Sequence, residues 1–210
     1  MKFTFGIVTA GGEDHRINQI IDSIESNRIP EDSYEIIIVG PSDVNRSNTK
    51  VWNLQFERWG WITRKKNIIA EQAQFENLVL LHDYVAFKPS WYDTMCEFGN
   101  DWDVCMNRIL NTDGKRFRDW IKVNSFEPFS IEFADYNSTE HIRGTYVSGT
   151  YFLVKKQYLL DNPLNENLCW GQGEDVEWSR KLNSTWNYRV NPKSVVYFLK
   201  AKHHFPASPE

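Results

Sequence analysis

The hydrophobic positions at the start of the chain alternate between short apolar runs and a helical repeat. The runs at 3–8 and 35–39 are continuous and rich in β-branched or aromatic residues, which is typical of buried strands. Between them, apolar residues recur at the spacing of one helix face: Ile17, Ile20, Ile21 and Ile24. A strand, a helix and a strand in this order predict a βαβ unit with two parallel strands.

The same alternation continues along the next part of the chain. A second helix is predicted at 63–74, with Ile62, Ile69, Ala70 and Ala73 on its buried side. Strands are predicted at 77–81 and 104–109, and between them Pro89 precedes a short helix at 91–98. Ser90 occupies the predicted N-cap of that helix, where a hydroxyl can accept a hydrogen bond from a free backbone N–H.

The pattern is weaker in the second half. Residues 111–145 lack periodicity and are expected to form an insertion or a long surface excursion. Further elements are predicted as a strand at 146–154, a helical turn at 155–160, a helix at 173–182 and a strand at 188–200 that Pro192 interrupts. The chain is therefore expected to be an α/β protein with one domain at 1–205, a mixed, mostly parallel central sheet flanked by helices, and a flexible tail at 206–210.

Composition excludes several classes of protein. The 210 residues include 24 Lys and Arg against 28 Asp and Glu, a net charge of −4, so no basic excess would favour nucleic-acid binding. A hydrophobic fraction of 41% excludes a disordered chain, and no apolar run approaches the ~18 residues of a membrane span. The three cysteines lack a metal-binding spacing, and the N-terminus lacks a signal-peptide pattern. We expect a cytoplasmic protein without a membrane span.

Three polar or glycine-bearing segments follow predicted parallel strands: Thr9–Gly12, Gly40–Asp43 and His82–Tyr84. In α/β sheets, ligands bind beyond the carboxyl ends of the strands, so these segments are the first candidate site. The segment Thr9–Gly12 matches neither the dinucleotide fingerprint nor the P-loop. It is either an ordinary turn or a loop that a nucleotide can approach.

Three adjacent cations, Arg64–Lys66, open the second predicted helix. Positive charge at a helix N-terminus works against the helix dipole, so helix stability does not explain it. Two interpretations remain open, which are a phosphate ligand and a solvated basic face.

Carboxylates and histidines suggest a metal site. Asp83 lies where the chain leaves an apolar strand, and there it either holds a divalent cation or caps a turn. His203 and His204 follow the last predicted strand and either add metal ligands or form an ordinary structural pair.

The segment from Cys169 to Trp178 carries the sharpest signal. Gly171 and Gly173 form a flexible Gly-x-Gly beside Trp170, and Glu174 and Asp175 follow at the first turn of a helix. Acidic residues at a helix start are common in themselves. Together with the tryptophan and the glycines, they suit a closing loop with a sugar-binding ring and a general base.

These residues, in this order, resemble the family 2 type of nucleotide-sugar glycosyltransferases, which have the GT-A fold. The likeness covers about residues 3–183 and includes the Arg-x-x-Asn helix start at Arg64, the aspartate turn at Asp83 and the segment Ser148–Thr150. Trp170–Asp175 is especially similar to the Trp-Gly-Trp-Gly-Gly-Glu-Asp stretch of animal β-1,4-galactosyltransferases.

The resemblance implies an inverting transferase that moves a sugar from a nucleotide-diphosphate sugar, most readily a UDP-sugar, to a hydroxyl of a glycan or other acceptor. It implies a Rossmann-like nucleotide-binding half at 1–100 and an acceptor-binding half at 101–205. The implied roles are as follows: catalytic, Asp175 and Glu174; nucleotide-binding, Thr9, Ala10, Asp43, Arg64, Lys66, His82 and Asp83; sugar- or acceptor-binding, Trp170, Gly171 and Gly149; metal-binding, Asp83, His203 and His204.

The sequence departs from the family pattern at the metal motif. His82 and Tyr84 stand where D-x-D has its outer aspartates, so only Asp83 is acidic there. Mn²⁺ or Mg²⁺ is expected with a weakened or rearranged ligand set. Two alternatives stay open, a nucleotide-sugar binding protein that has lost catalysis and a sugar nucleotidyltransferase.

Overall fold

The computed structural model describes residues 1–54, 58–124, 130–137, 145–182 and 186–202. The helices are α1 (Asp14–Glu25), α2 (Ile62–Gln72), α3 (Trp91–Phe98), α4 (Lys156–Asp161) and α5 (Glu174–Leu182). The strands are β1 (Phe3–Val8), β2 (Tyr34–Val39), β3 (Thr49–Trp52), β4 (Asn77–His82), β5 (Val85–Phe87), β6 (Val104–Leu110), β7 (Ile121–Asn124), β8 (Ser130–Phe133), β9 (Thr145–Tyr146), β10 (Tyr151–Lys155) and β11 (Tyr188–Phe198).

Eight strands form one mixed sheet in the order β3-β2-β1-β4-β10-β6-β11-β5. The predicted βαβ unit is confirmed, because β1 pairs in parallel with β2 and also with β4. Strand β10 is antiparallel to both β4 and β6, and β11 is parallel to β6. As a result, β1, β2, β4 and β11 all have their carboxyl ends at the same edge of the sheet. The α/β architecture predicted from the sequence is confirmed.

The region predicted to be an insertion contains regular structure. Strands β8, β7 and β9 form a separate three-stranded antiparallel sheet. The prediction of a single strand at 146–154 is also wrong, because this segment contains two strands: β9 belongs to the small sheet and β10 to the large one. Between them the chain turns, with the Tyr151 N–H donating to the Ser148 carbonyl at 3.0 Å.

Two local expectations need correction. Ser90 makes no side-chain cap and lies in the left-handed region at φ 68°, while its carbonyl accepts the Thr94 N–H. The strand β11 runs past Pro192, which the sequence predicted as an interruption. A register shift between Asn191 and Val195 accommodates the missing N–H as a bulge.

Helix α1 buries the four isoleucines that predicted it, whereas α2 is buried on almost every side. The predicted buried residues of α2, Ile62, Ile69 and Ala70, are confirmed, and Ala73 is buried just after its end. Lys65, Lys66 and Asn67 are buried as well. A solvated basic face is therefore wrong for these two lysines.

Gly6 lets α2 approach the sheet. A Cβ atom at this position would lie 2.7 Å from Ile69 Cδ1 and in contact with Ile69 Cγ2, closer than packed atoms allow. We expect Gly6→Ala to lower the free energy of unfolding by about 1–3 kcal/mol, as overpacked cores do. Urea unfolding measures this loss. If the contact is responsible, Gly6→Ala combined with Ile69→Ala loses less than the sum of the single variants, whereas strict additivity would contradict it.

Candidate active site

The loop after β1 is held by its own backbone and by α2. The Thr9 N–H donates to the Val39 carbonyl at 3.1 Å, and Lys65 Nζ donates to the Thr9 carbonyl at 2.6 Å. At Gly40, with φ 126°, a Cβ would lie 3.0 Å from the Thr9 carbonyl carbon and closer still to its oxygen. Only glycine lets the loops after β1 and β2 approach this closely.

A cavity of about 360 Å³ lies beside these loops. Its lining is polar and apolar in about equal parts and consists of Gly12, Asp14, Pro41, Ser42, Asp43, Asn53 and Leu54. The Asp14 carboxylate fixes one wall, because it accepts the Ser42 hydroxyl at 2.7 Å and the Asp43 N–H at 3.0 Å. The predicted residues Ala10 and Asp43 are both exposed at this edge.

The turn after β4 places Asp83 beside the same loop. Asp83 is 8% exposed; burial raises the pKa of its carboxyl group, while a hydrogen bond with the Thr9 side chain and the charge of Lys200 lower it. His82 is equally buried. Burial first, and then the charge of Lys66, lowers the pKa of His82 well below its ordinary value, so its ring is neutral at pH 7.

Two lysines that the sequence did not indicate lie beside the turn after β4. Lys200 and Lys202 follow β11, and their Nζ atoms lie 4.5 and 4.4 Å from the centre of the Tyr84 ring. The Leu199 N–H donates to the Tyr84 carbonyl at 2.8 Å, which fixes the two segments together. Burial lowers the pKa of Lys202, and the Asp83 carboxylate raises it. The sequence gives no local signal for them, because their place depends on the edge at which β11 ends.

The carboxylate pair lies at the start of α5, against the turn between β9 and β10. The N–H groups of Gly149 and Val176 donate to Asp175, each at 2.9 Å, to different carboxylate oxygens. A Cβ on Gly149 would lie 2.8 Å from Glu174 Oε1 and 3.0 Å from Asp175 Oδ2. Glycine is therefore required at 149 for the carboxylates to lie where they do.

Lys66 connects the carboxylate pair to His82. Its side chain is fully buried, and its Nζ donates to the Gly149 carbonyl at 2.6 Å. Burial lowers the pKa of Lys66, and the charge of Glu174 followed by that of Asp175 raises it. Burial raises the pKa of Glu174, and Lys66 lowers it. The two buried charges thus stabilise each other.

Arg64 has different partners from its neighbours in the basic run. Its guanidinium pairs with Glu71 at 2.6 Å and with Glu166 at 3.1 Å. The three adjacent cations therefore have different environments. Lys65 and Lys66 are buried and donate to backbone carbonyls of the site loops, whereas Arg64 is partly exposed and pairs with acidic side chains. Nucleotide contact by Arg64 and Lys66 stays a prediction.

Trp170 belongs to a segment that is fastened to the beginning of α2. The Thr63 hydroxyl donates to the Leu168 carbonyl at 2.8 Å, and the Trp170 N–H donates to the Gly60 carbonyl at 2.7 Å. Trp170 is 51% exposed, and its ring centre lies 5.9 Å from that of Trp59, which is 77% exposed. Trp59 was not predicted. Gly171 is exposed at φ 80° and leads toward the carboxylates.

The expected divalent metal can be tested against the side chains at Asp83. Within the described ranges no three His, Cys, Asp or Glu side chains form a group that could hold a metal ion. His203 and His204 lie outside the described residues. Of the predicted ligands only Asp83 is described, and the charges acting on it include Lys200 and Lys202. The described part of the site therefore offers one carboxylate beside ammonium groups, whereas such a cation prefers several oxygen ligands.

No family model matches the sequence, and no similar sequence was found among curated proteins. Solved structures do match. The structure of S. aureus TarS 1-349 has a TM-score of 0.65 and 17% identity, over 94% of this chain and 60% of that one. The complex of the same protein with UDP-GlcNAc has a TM-score of 0.65 and 18% identity, over 97% of this chain and 60% of that one. GalNAc-T7 with UDP, GalNAc and Mn²⁺ has a TM-score of 0.70 and 14% identity, over 100% of this chain and 45% of that one.

The chain thus spans 60% of the length of TarS 1-349. In the part of the chain that the structure describes, no helix is both long and apolar enough to cross a membrane. The matching structures are glycosyltransferases with a curled mixed sheet flanked by helices. At these identities the likeness establishes the architecture alone: the chain has the GT-A fold.

Proposed function

We propose that this protein is a glycosyltransferase that uses a nucleotide-diphosphate sugar. The observation that carries the proposal is the position of Asp175, whose two carboxylate oxygens are oriented by the backbone of Gly149 and Val176. This carboxylate is linked through Gly149 and Lys66 to the edge of the sheet where the nucleotide segments lie. A carboxylate held in this way beside a nucleotide site suits a general base.

A UDP-sugar is the proposed donor. TarS has been crystallised with UDP and with UDP-GlcNAc, and GalNAc-T7 with UDP. In this chain the cavity beside Gly12 and Asp43, with both polar and apolar lining, offers a concave place for the nucleoside. Thr9, Ala10 and Asp83, in the loops after β1 and β4 at the same edge, are the further proposed contacts to the nucleotide.

The proposed reaction is a single displacement that inverts the anomeric carbon. Asp175 accepts the proton of an acceptor hydroxyl as its oxygen attacks that carbon, and the bond from carbon to the diphosphate oxygen breaks. Glu174 is the proposed supporting carboxylate, because it shares Lys66 with Asp175. Trp170 and Gly171 are proposed to close over donor and acceptor, which excludes water that would hydrolyse the donor.

No step of this mechanism is assigned to a divalent metal. GalNAc-T7 was crystallised with Mn²⁺, but the described donor set at Asp83 does not fit such an ion. Charge that develops on the leaving diphosphate is therefore left to side chains of this protein.

Thermal unfolding in the presence of UDP, GDP, CDP or dTDP tests the proposal. A ligand at 100 times its Kd adds about 2.7 kcal/mol to the free energy of unfolding, which raises Tm measurably. We expect one nucleoside diphosphate, UDP, to raise Tm more than its nucleoside does. No shift with any of the four nucleotides, with or without Mn²⁺, would contradict the proposal.

A further inference from the structure

We propose that Lys200 and Lys202 bind the diphosphate of the donor directly and neutralise its charge without a divalent cation. The inference rests on the proposed function, because it concerns the ligand of the same site. It adds the chemistry of recognition at the phosphates, which the GT-A fold does not determine.

The arrangement of charge is the first argument. Both Nζ atoms lie about the same distance, 4.5 and 4.4 Å, from the centre of one Tyr84 ring. Within the described residues neither Nζ forms a hydrogen bond or an ion pair within 4.0 Å. The Asp83 carboxylate interacts electrostatically with both lysines, and Glu13 and Arg16, which pair with each other, also act on it. Among these groups the positive charges exceed the negative ones by one, which favours an anion.

His82 supplies the second, independent argument. It is 8% exposed, and its Nε2 has no hydrogen-bond partner in the described structure. An unpartnered buried nitrogen is costly, and such groups in native proteins usually have a ligand or water as partner. The ring centre lies 5.6 Å from that of Tyr84, the ring that both lysines approach, and the charges of Lys202 and Lys200 both act on His82.

The position of the lysines in the sheet is the third argument. Strand β11 is parallel to β6, so its carboxyl end meets the ends of β1 and β4 at one edge. The lysines therefore lie at the same edge as the loop of Thr9 and the turn of Asp83, where we propose that the nucleotide binds. Cationic groups at this edge can contact the diphosphate of that nucleotide. Each ammonium group offers three N–H donors to phosphate oxygens.

Isothermal titration calorimetry in EDTA tests the inference, with UDP, inorganic pyrophosphate and uridine as probes. The wild type should bind UDP and pyrophosphate in EDTA and bind uridine more weakly. Lys200→Met and Lys202→Met keep the apolar stem and remove the charge. Each should weaken UDP binding by about 10-fold or more, the usual contribution of a charge-assisted hydrogen bond, and leave uridine binding unchanged.

Lys88→Met is the matched control. The Lys88 Nζ also lies over a tyrosine, 4.5 Å from the centre of the Tyr197 ring, but at the far end of β5. The Lys88→Met variant should bind all three probes as the wild type does. Lys202→Arg should retain most of the UDP affinity. If the Met variants do not fold, the salt dependence of binding to the wild type tests the inference. Rising NaCl concentration should weaken the binding of UDP and pyrophosphate and leave uridine binding little changed.

The outcomes separate the two proposals. UDP binding that requires Mn²⁺, or Met variants that bind UDP in EDTA as tightly as the wild type, overturns the role of the lysines and leaves the proposed function standing. Absence of binding of both UDP and pyrophosphate, in EDTA and with Mn²⁺, contradicts the proposed function and this inference with it. Pyrophosphate binding that depends on the lysines, without any nucleotide binding, contradicts the proposed function alone.

Discussion

Asp175→Asn should lower the rate of sugar transfer by about 10²–10⁴-fold, the usual contribution of a general base. In the wild type the Gly149 N–H donates to Asp175 Oδ2 at 2.9 Å. The amide oxygen of the variant can still accept this hydrogen bond, but the amide cannot take a proton from the acceptor hydroxyl. The fold and the affinity for UDP should therefore persist. Initial rates of UDP release measure the loss, and calorimetry with UDP verifies that binding is retained.

Glu177→Gln is the matched control for this experiment. Glu177 belongs to the same first turn of α5 but is exposed, so its neutralisation changes the charge of the helix start and leaves the site intact. Its rate should stay close to that of the wild type. An Asp175→Asn enzyme with nearly normal turnover would assign the base elsewhere.

Lys66→Met should lower the free energy of unfolding by about 3–5 kcal/mol, the range found when one partner of a buried charge pair is removed. The Lys66 ammonium is fully buried, donates to the Gly149 carbonyl and interacts with the charge of Glu174. Without it, the buried Glu174 carboxylate loses the one compensating charge that the described residues supply. For a protein of this size such a loss lowers Tm by roughly 6–20 °C.

A double variant shows whether the charge pair is the cause. Lys66→Met with Glu174→Gln removes both charges, so it should be more stable than Lys66→Met alone. Arg64→Met provides the comparison on the same helix. Its two ion pairs are partly exposed, and their loss should cost at most about 1 kcal/mol. If Lys66→Met were no more harmful than Arg64→Met, the buried pair would not be the stabilising element.

The central βαβ unit could be predicted because its signals are local. The four isoleucines of α1 and the apolar runs of β1, β2 and β4 each specify a periodicity within a few residues, and the structure confirms them. The small sheet of β7, β8 and β9 could not be predicted in the same way. Its strands have 2 to 4 residues, too short for a periodic signal.

The basic run of α2 shows a different limit of the sequence. Adjacent cations have the same pattern whether they face water, a phosphate or a buried carbonyl, and tertiary packing decides among these. Here the packing of α2 buries Lys65 and Lys66 against the carbonyls of Thr9 and Gly149, and leaves Arg64 at the surface.

In the candidate site, too, some residues could be selected from a local sequence pattern and others depend on tertiary structure. The carboxylate pair could be selected from the sequence, because Glu174 and Asp175 lie next to distinctive glycines. Lys200 and Lys202 could not, because their relevance depends on β11 ending at the same edge as β4. That adjacency links residues more than a hundred positions apart, and no local pattern records it.

The most direct test of the account is release of UDP from a UDP-sugar by the purified protein, with a panel of hydroxyl acceptors and with Asp175→Asn measured in parallel. The account predicts UDP and the transferred sugar in equal amounts, stimulated by an acceptor and lost in the variant while UDP still binds. Tight UDP binding without release from any UDP-sugar, in the presence of every acceptor, would instead identify a binding protein and contradict the account.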